Sequence, residues 1–137
     1  MKPLSDAQWA HALARLGMGI NIALHGWTRL PKLDEFATSL QQQFAATILP
    51  AAWVKLSAYA IAGAESVIGT LLLLGWCLRP TLIAGHLLMC VLLFGTCLTQ
   101  NWNAAGTQMV YLGFFALLLG FRRYSALSID PRPADAP

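Results

Sequence analysis

Residues 9–30 read WAHALARLGMGINIALHGWTRL. The stretch is long and apolar enough to cross a bilayer, yet it carries His11, Arg15, Asn21, His25 and Arg29. An α-helix turns about 100° per residue, which sets His11, Arg15, Met18, Ile22, His25 and Arg29 within roughly 40° of one line. All but one of the hydrogen-bonding side chains therefore share a stripe. The rest of the surface is Ala, Leu, Ile, Met and Gly, which lipid accepts. An arginine deep in a bilayer costs roughly 2.5–3.5 kcal/mol on insertion scales, so it must face protein or water. The other helices have to supply what this stripe needs.

Composition agrees with a membrane location. Hydrophobic residues make up 57% of the 137 and charged residues only 11%, with mean hydropathy +0.57. A soluble domain carries about a quarter charged residues, because water-facing surface needs them. The length allows one domain. The formal charge of +3 sits mostly at segment ends, with no basic run interleaved with aromatics, so it reads as topology and not as nucleic-acid binding. Cys77, Cys90 and Cys97 are odd in number and form no C-x-x-C pair, which argues against a disulfide framework. Cys90 and Cys97 are two turns apart on one helix, about 10 Å, too far to bond, and read as small apolar fillers. Lys2 gives a small basic start, but His11 and Arg15 interrupt what would be the apolar core of a signal peptide, so the first helix is expected to be retained.

The pattern predicts an all-α integral membrane four-helix bundle. Its spans are about 9–30, 52–76, 80–99 and 102–121, making a membrane domain over 1–121. Ser5 or Asp6 can cap the first helix, and Pro31 stops it. Residues 33–50 place Leu33, Phe36, Leu40, Phe44 and Ile48 at helical spacing among Asp34, Glu35, Ser39, Gln42 and Gln43. This amphipathic connecting helix is too polar to span; it reads as an interfacial connector, or as a lid over a cavity. In the second span Ala58, Ala62, Glu65, Ser66 and Gly69 form a small face suited to close helix contact. In the third, His86, Cys90, Leu93, Cys97 and Gln100 share a stripe. The fourth is nearly all apolar, with Gln108 and Tyr111 as polar handles. The basic, proline-containing tail, 122–137, is expected to be flexible. Four spans put both termini on one side, with Lys2, Arg79, Arg122, Arg123 and Arg132 against Arg29, Lys32 and Lys55 on the other. That balance favours cytoplasmic termini in a plasma (inner) membrane.

Depth decides which polar groups meet. Arg15 lies about 10 Å in from the cytoplasmic face, His86 about as deep, and Glu65 near mid-membrane. Glu65 is the only acidic residue inside a span and Arg15 the only deep cation, so the two are expected to pair, with His86 nearby. Such a pair can serve as packing glue or as a functional site. His86 itself reads first as a hydrogen-bonded core histidine. A second, outer group is expected from His25, Gln100, Gln108 and Tyr111. His25 and His86 fall at different depths, which disfavours haem, and His86 with Cys90 has too few companions to bind a metal.

These residues also carry a resemblance. Arg15 followed by His25-Gly26-Trp27 and Lys32, then Phe36, Phe44 and Leu49-Pro50, resembles the first helix and connector of the DoxX family, to which the small subunit of thiosulfate:quinone oxidoreductase is related. Glu65 with Gly69, the run Leu71-Leu72-Leu73-Leu74-Gly75 and Arg79 resembles the second-helix signature of that family. Arg123-Tyr124-Ser125 with Leu127 and Asp130 resembles its closing Gly-Arg-Tyr-Ser-Leu-Asp, although Arg122 stands for the glycine and Ala126 with Ser128-Ile129 alters the spacing. The resemblance implies a bacterial-type four-helix membrane protein associated with redox chemistry, as a quinone-linked subunit or a partner of soluble redox enzymes.

Three functions follow as expectations. The first is a membrane redox subunit holding a quinone-type or small lipophilic ligand near Arg15, Glu65 and His86. The sequence shows no flavin, haem or iron–sulfur motif, so its electrons would come from a partner protein. The second is a non-catalytic scaffold or assembly factor, with the featureless last helix as a contact to a partner or a second copy. The third is a small transporter or proton relay, which four short spans in one chain accommodate poorly.

Overall fold

The computed structural model describes residues 3–131. Five α-helices run in chain order: α1 Asp6–Arg29, α2 Leu33–Gln43, α3 Ala51–Leu74, α4 Leu78–Leu98 and α5 Trp102–Gly120. Short 3₁₀ turns follow α1 and α5, at Leu30–Lys32 and Arg122–Tyr124. Ser5 begins α1 with a capping box: its hydroxyl accepts from the Gln8 amide, and the Gln8 side chain accepts from the Ser5 N–H at 2.9 Å. The first helix therefore starts three residues before the expected Trp9.

The connector is shorter than expected: α2 ends at Gln43, and the chain then turns to Pro50. Thr47 closes that turn, its N–H and hydroxyl both taking the Phe44 carbonyl at 2.9 and 2.7 Å. Leu33, Phe36, Leu40 and Phe44 are half-buried, while Ile48 falls in the turn and is exposed.

α3, α4 and α5 are long and apolar enough to cross a membrane. α1 matches α3 in length but carries too many polar groups to qualify by the same measure. Large apolar side chains such as Leu56, Val67, Leu87, Val110 and Leu117 point outward, as a lipid environment permits.

α1 packs mainly on α3, and α4 on α5. Small residues set the first pairing. A Cβ on Gly69 would fall on the backbone of Ala23, one on Gly26 on the backbone of Ser66, and one on Gly19 within 3.0 Å of Leu73. The backbones touch through these positions, which fixes one antiparallel register. In the second pair the Phe115 ring fills the space beside Gly85. The buried core of Met18, Ile22, Ile68, Leu72, Leu78, Leu82, Met89, Phe115 and Leu118 joins the two pairs at the end of the bundle nearer the termini. At the other end the pairs diverge.

The segment after α5 departs from the expected flexible tail. Through residue 130 it is docked, with Ser125 and Ala126 buried. The N–H groups of Ile129 and Asp130 bond the carbonyls of Leu74 and Gly75, both at 3.1 Å. The Asp130 carboxylate accepts from the N–H groups of Cys77 and Leu78 at 2.7 and 2.6 Å, so a residue from the far end of the chain caps α4. That is why an aspartate closes the motif. Residues 132–137 of the expected tail, Arg132 among them, lie outside the described residues. Asp130→Ala should cost about 1–2 kcal/mol, read as a lowered melting temperature in detergent, and Asp130→Asn should recover part of it.

Candidate functional site

Where the two helix pairs diverge they enclose a cavity of about 830 Å³, between the C-terminal ends of α1 and α4 and the N-terminal halves of α3 and α5. Its walls are largely apolar, from Ile22, Phe36, Leu40, Phe44, Val54, Ile61, Met89 and Leu92. α2 lies along α3, and its apolar stripe of Phe36, Leu40 and Phe44 forms part of the wall. The amphipathic pattern of this helix thus covers a cavity. Tyr59 ties α2 to α3 by donating to Asp34 at 2.6 Å, and Gln41 donates to the Ala51 carbonyl at 2.9 Å.

Beside single polar residues such as Gln43 and Ser57, two hydrogen-bonded polar groups interrupt the apolar wall. On the α1–α3 side, Arg29 forms an ion pair and hydrogen bond with Glu65, whose side chain is 2% exposed. The Phe36 ring lies 4.6 Å from the Arg29 guanidinium carbon, so α2 contributes a cation–π face. His25, one turn before Arg29 on α1, reaches the same cavity. On the α4–α5 side, Thr96 donates to the Gln108 amide oxygen at 2.7 Å, and Asn21 of α1 donates to the Tyr111 hydroxyl at 3.1 Å. Gln108 and Tyr111 both line the cavity. The space can hold a largely apolar molecule bearing a polar head, with a guanidinium and a carboxylate in reach of that head.

The expected pairing of Arg15 with Glu65 is corrected. Arg15 bonds the carbonyls of Leu72, Leu73 (3.1 Å) and Leu127 (2.7 Å), and Glu65 bonds Arg29. The register explains both. With Gly19 facing Leu73 and Gly26 facing Ser66, the position facing Arg15 lies past the end of α3, and Arg29 falls opposite the turn holding Glu65. Arg15 is a C-terminal cap: its cation sits where a helix leaves carbonyls unpaired and its dipole is negative. Gly75, at φ 63°, completes that end. Its N–H bonds Leu72 and that of Trp76 bonds Leu71. His11, one turn before Arg15, donates from Nε2 to the Leu118 carbonyl at 3.1 Å and joins α1 to α5.

His86 is also separate from the site. It is half-buried on α4 near the packed end of the bundle and does not line the cavity. Cys90 and Cys97 on the same stripe are exposed, as is Cys77, so they are not core fillers. Of the expected outer group, His25, Gln108 and Tyr111 come together at the cavity, while Gln100 sits in the turn at φ 54° and is exposed. Residues that sequence reasoning missed are Arg29, Phe36 and Thr96. The signal for Arg29 was present, since it shares the stripe of Arg15 and His25.

No curated protein and no solved structure matches the chain. The DoxX family model matches residues 10–101, from the second turn of α1 to just past the end of α4, and so takes in the register-setting glycines, α2, Arg29 and Glu65. That span is well over half of the sequence, and the protein, an integral membrane protein, belongs to the DoxX family.

Proposed function

We propose that this protein is a membrane subunit associated with redox chemistry, and that its cavity holds a quinone-type lipophilic ligand. The observation that carries the reading is a buried carboxylate, Glu65, ion-paired to the partly exposed Arg29 in the wall of a large apolar space. A carboxylate withdrawn from water is expensive to keep and is a functional candidate in a membrane protein. In this reading α1 is the fourth span, because its polar stripe faces α3, α5 and the cavity, and both termini lie on the cytoplasmic side of the inner membrane. The Arg29 N–H groups not used by Glu65 donate to a carbonyl oxygen of the head and stabilise negative charge that develops there. Glu65, held in place by Arg29, is within the same site to accept or return a proton. Electrons come from a partner redox protein.

The test is equilibrium binding of a benzoquinone carrying one isoprene unit to the protein in nanodiscs. Saturable binding is expected, weakened about tenfold or more in Glu65→Gln and in Arg29→Ala. Non-saturable partitioning that is identical in wild type and both variants would end the reading.

The outer face of α4 favours a second reading as a scaffold. His86, Cys90 and Cys97 put polar and polarisable groups on a surface where lipid alone would ask for none. A partner redox protein or a second copy would cover them. Capture in gentle detergent that survives Glu65→Gln and is lost in His86→Leu would support this reading over the first.

A further inference from the structure

The residues lining the cavity include several that are also widely exposed at the outer surface. On the α3 and α4 side these include Trp53, Val91 and Phe94, at 67%, 57% and 60% exposure, and Ser57, whose hydroxyl is spent on the Trp53 carbonyl at 2.8 Å. Trp53, Val91 and Phe94 are apolar, and all four stand on two helices long and apolar enough to cross a membrane. α3 and α4 are joined by a short turn at the packed end, where Leu72, Leu78 and Leu82 are buried. Toward the other end they part, and Ser57 and Ile61 of α3 and Val91 of α4 border the cavity. Phe44 reaches from the end of α2 to α4, its ring 3.0 Å from where a Cβ on Gly95 would stand, and so bridges the mouth. The edge between α3 and α4 is therefore an apolar border of the cavity.

Resting on the reading of the cavity as a ligand site, we infer that it is loaded from the bilayer through this edge, and that its ligand is a long-chain isoprenoid or acyl lipid whose tail stays between α3 and α4 while its head reaches Arg29 and Glu65. A water-soluble metabolite has no use for an apolar edge. A tail leaving through it remains in lipid-like surroundings and loses nothing on transfer, because lipid and an apolar protein wall solvate it alike. The polar pair lies on the α1–α3 wall, across from Val91 and Phe94 on α4, so head and tail find different partners in one space.

The experiment compares two probes with the same benzoquinone head, one bearing a single isoprene unit and one bearing eight, in nanodiscs. Binding is read against mole fraction in lipid. Wild type is expected to bind both alike. The double variant Ser57→Phe/Val91→Phe, which bulks both sides of the edge, should bind the long probe about tenfold or more weaker and the short probe as wild type does. Leu87→Phe, on the outer face of α4 and away from the cavity, should keep both. The portal is overturned if wild type takes only the short probe, or if the double variant keeps both. It is overturned too if the double variant loses both with an unchanged melting temperature, or if Leu87→Phe loses the long probe. Failure of wild type to bind either probe would instead remove the cavity reading on which this one stands.

Discussion

Gly69→Ala will lower stability by about 3 kcal/mol and abolish ligand binding, although it adds a single methyl group and improves helix propensity. The added Cβ would land on the amide nitrogen and Cα of Ala23. The obstacle is main chain, so no rotamer change relieves it and α1 must move away from α3. Overpacking of this kind costs typically 1–3 kcal/mol, and here the obstacle is the least compliant available, which places the effect at roughly the upper end. The same displacement draws Arg29 from Glu65, so the site should fail with the fold only partly loosened. Gly63 is the internal control: a Cβ there meets nothing within 4 Å, and Gly63→Ala should be neutral or stabilising by roughly 0.5–1 kcal/mol. Thermal unfolding in detergent and the one-isoprene binding assay read both quantities. Equal melting temperatures for the two variants would refute the register.

Arg15→Ala should be more damaging than any change at the cavity, costing about 3 kcal/mol or more and leaving little folded protein in the membrane fraction. One guanidinium serves three carbonyls, two at the end of α3 and one on the docked C-terminal segment, and it is 4% exposed. Hydrogen bonds to a charged group contribute about 1.5–3 kcal/mol each, and acceptors left unpaired in a buried place cost about as much again. Arg15→Lys should rescue only partly, because a single ammonium cannot span carbonyls on two segments. By contrast Glu65→Gln removes the charge but keeps the shape, and should weaken binding while sparing the fold. If Arg15→Ala left stability unchanged and removed only binding, Arg15 would belong to the site and not to the frame.

Helix number and type were legible because periodicity and length are local. α3, α4 and α5 begin and end within two residues of where Pro, Gly and the polar turns suggested. What could not be read was the offset between helices. Placing Arg15 and Glu65 by their depth assumed that α1 and α3 start and stop together. The observed register is decided by Gly19, Gly26 and Gly69, whose small size shows in the sequence but whose partners do not. The same limit hid Arg29: it stood on the right stripe, yet its position at the end of α1 made it look like a topology signal. His86 misled for a different reason, because the period of a nearly all-apolar helix does not say which stripe faces inward. The docked segment was obscured by its own composition, since prolines and charges beyond residue 130 gave the whole stretch the look of a loose end.

The grip of Arg15 on Leu127 has a consequence for biogenesis. Leu127 leaves the ribosome only after α1 to α5 have been made, so while those helices emerge the arginine has its full set of oxygens nowhere in the nascent chain. The segment after α5 is the one that fastens the first helix to the third and, through Asp130, fixes the start of the fourth. Assembly of the bundle is therefore closed from the segment after α5 backward, and a ribosome that stalls short of that segment would release a chain whose charge still holds the bundle ajar.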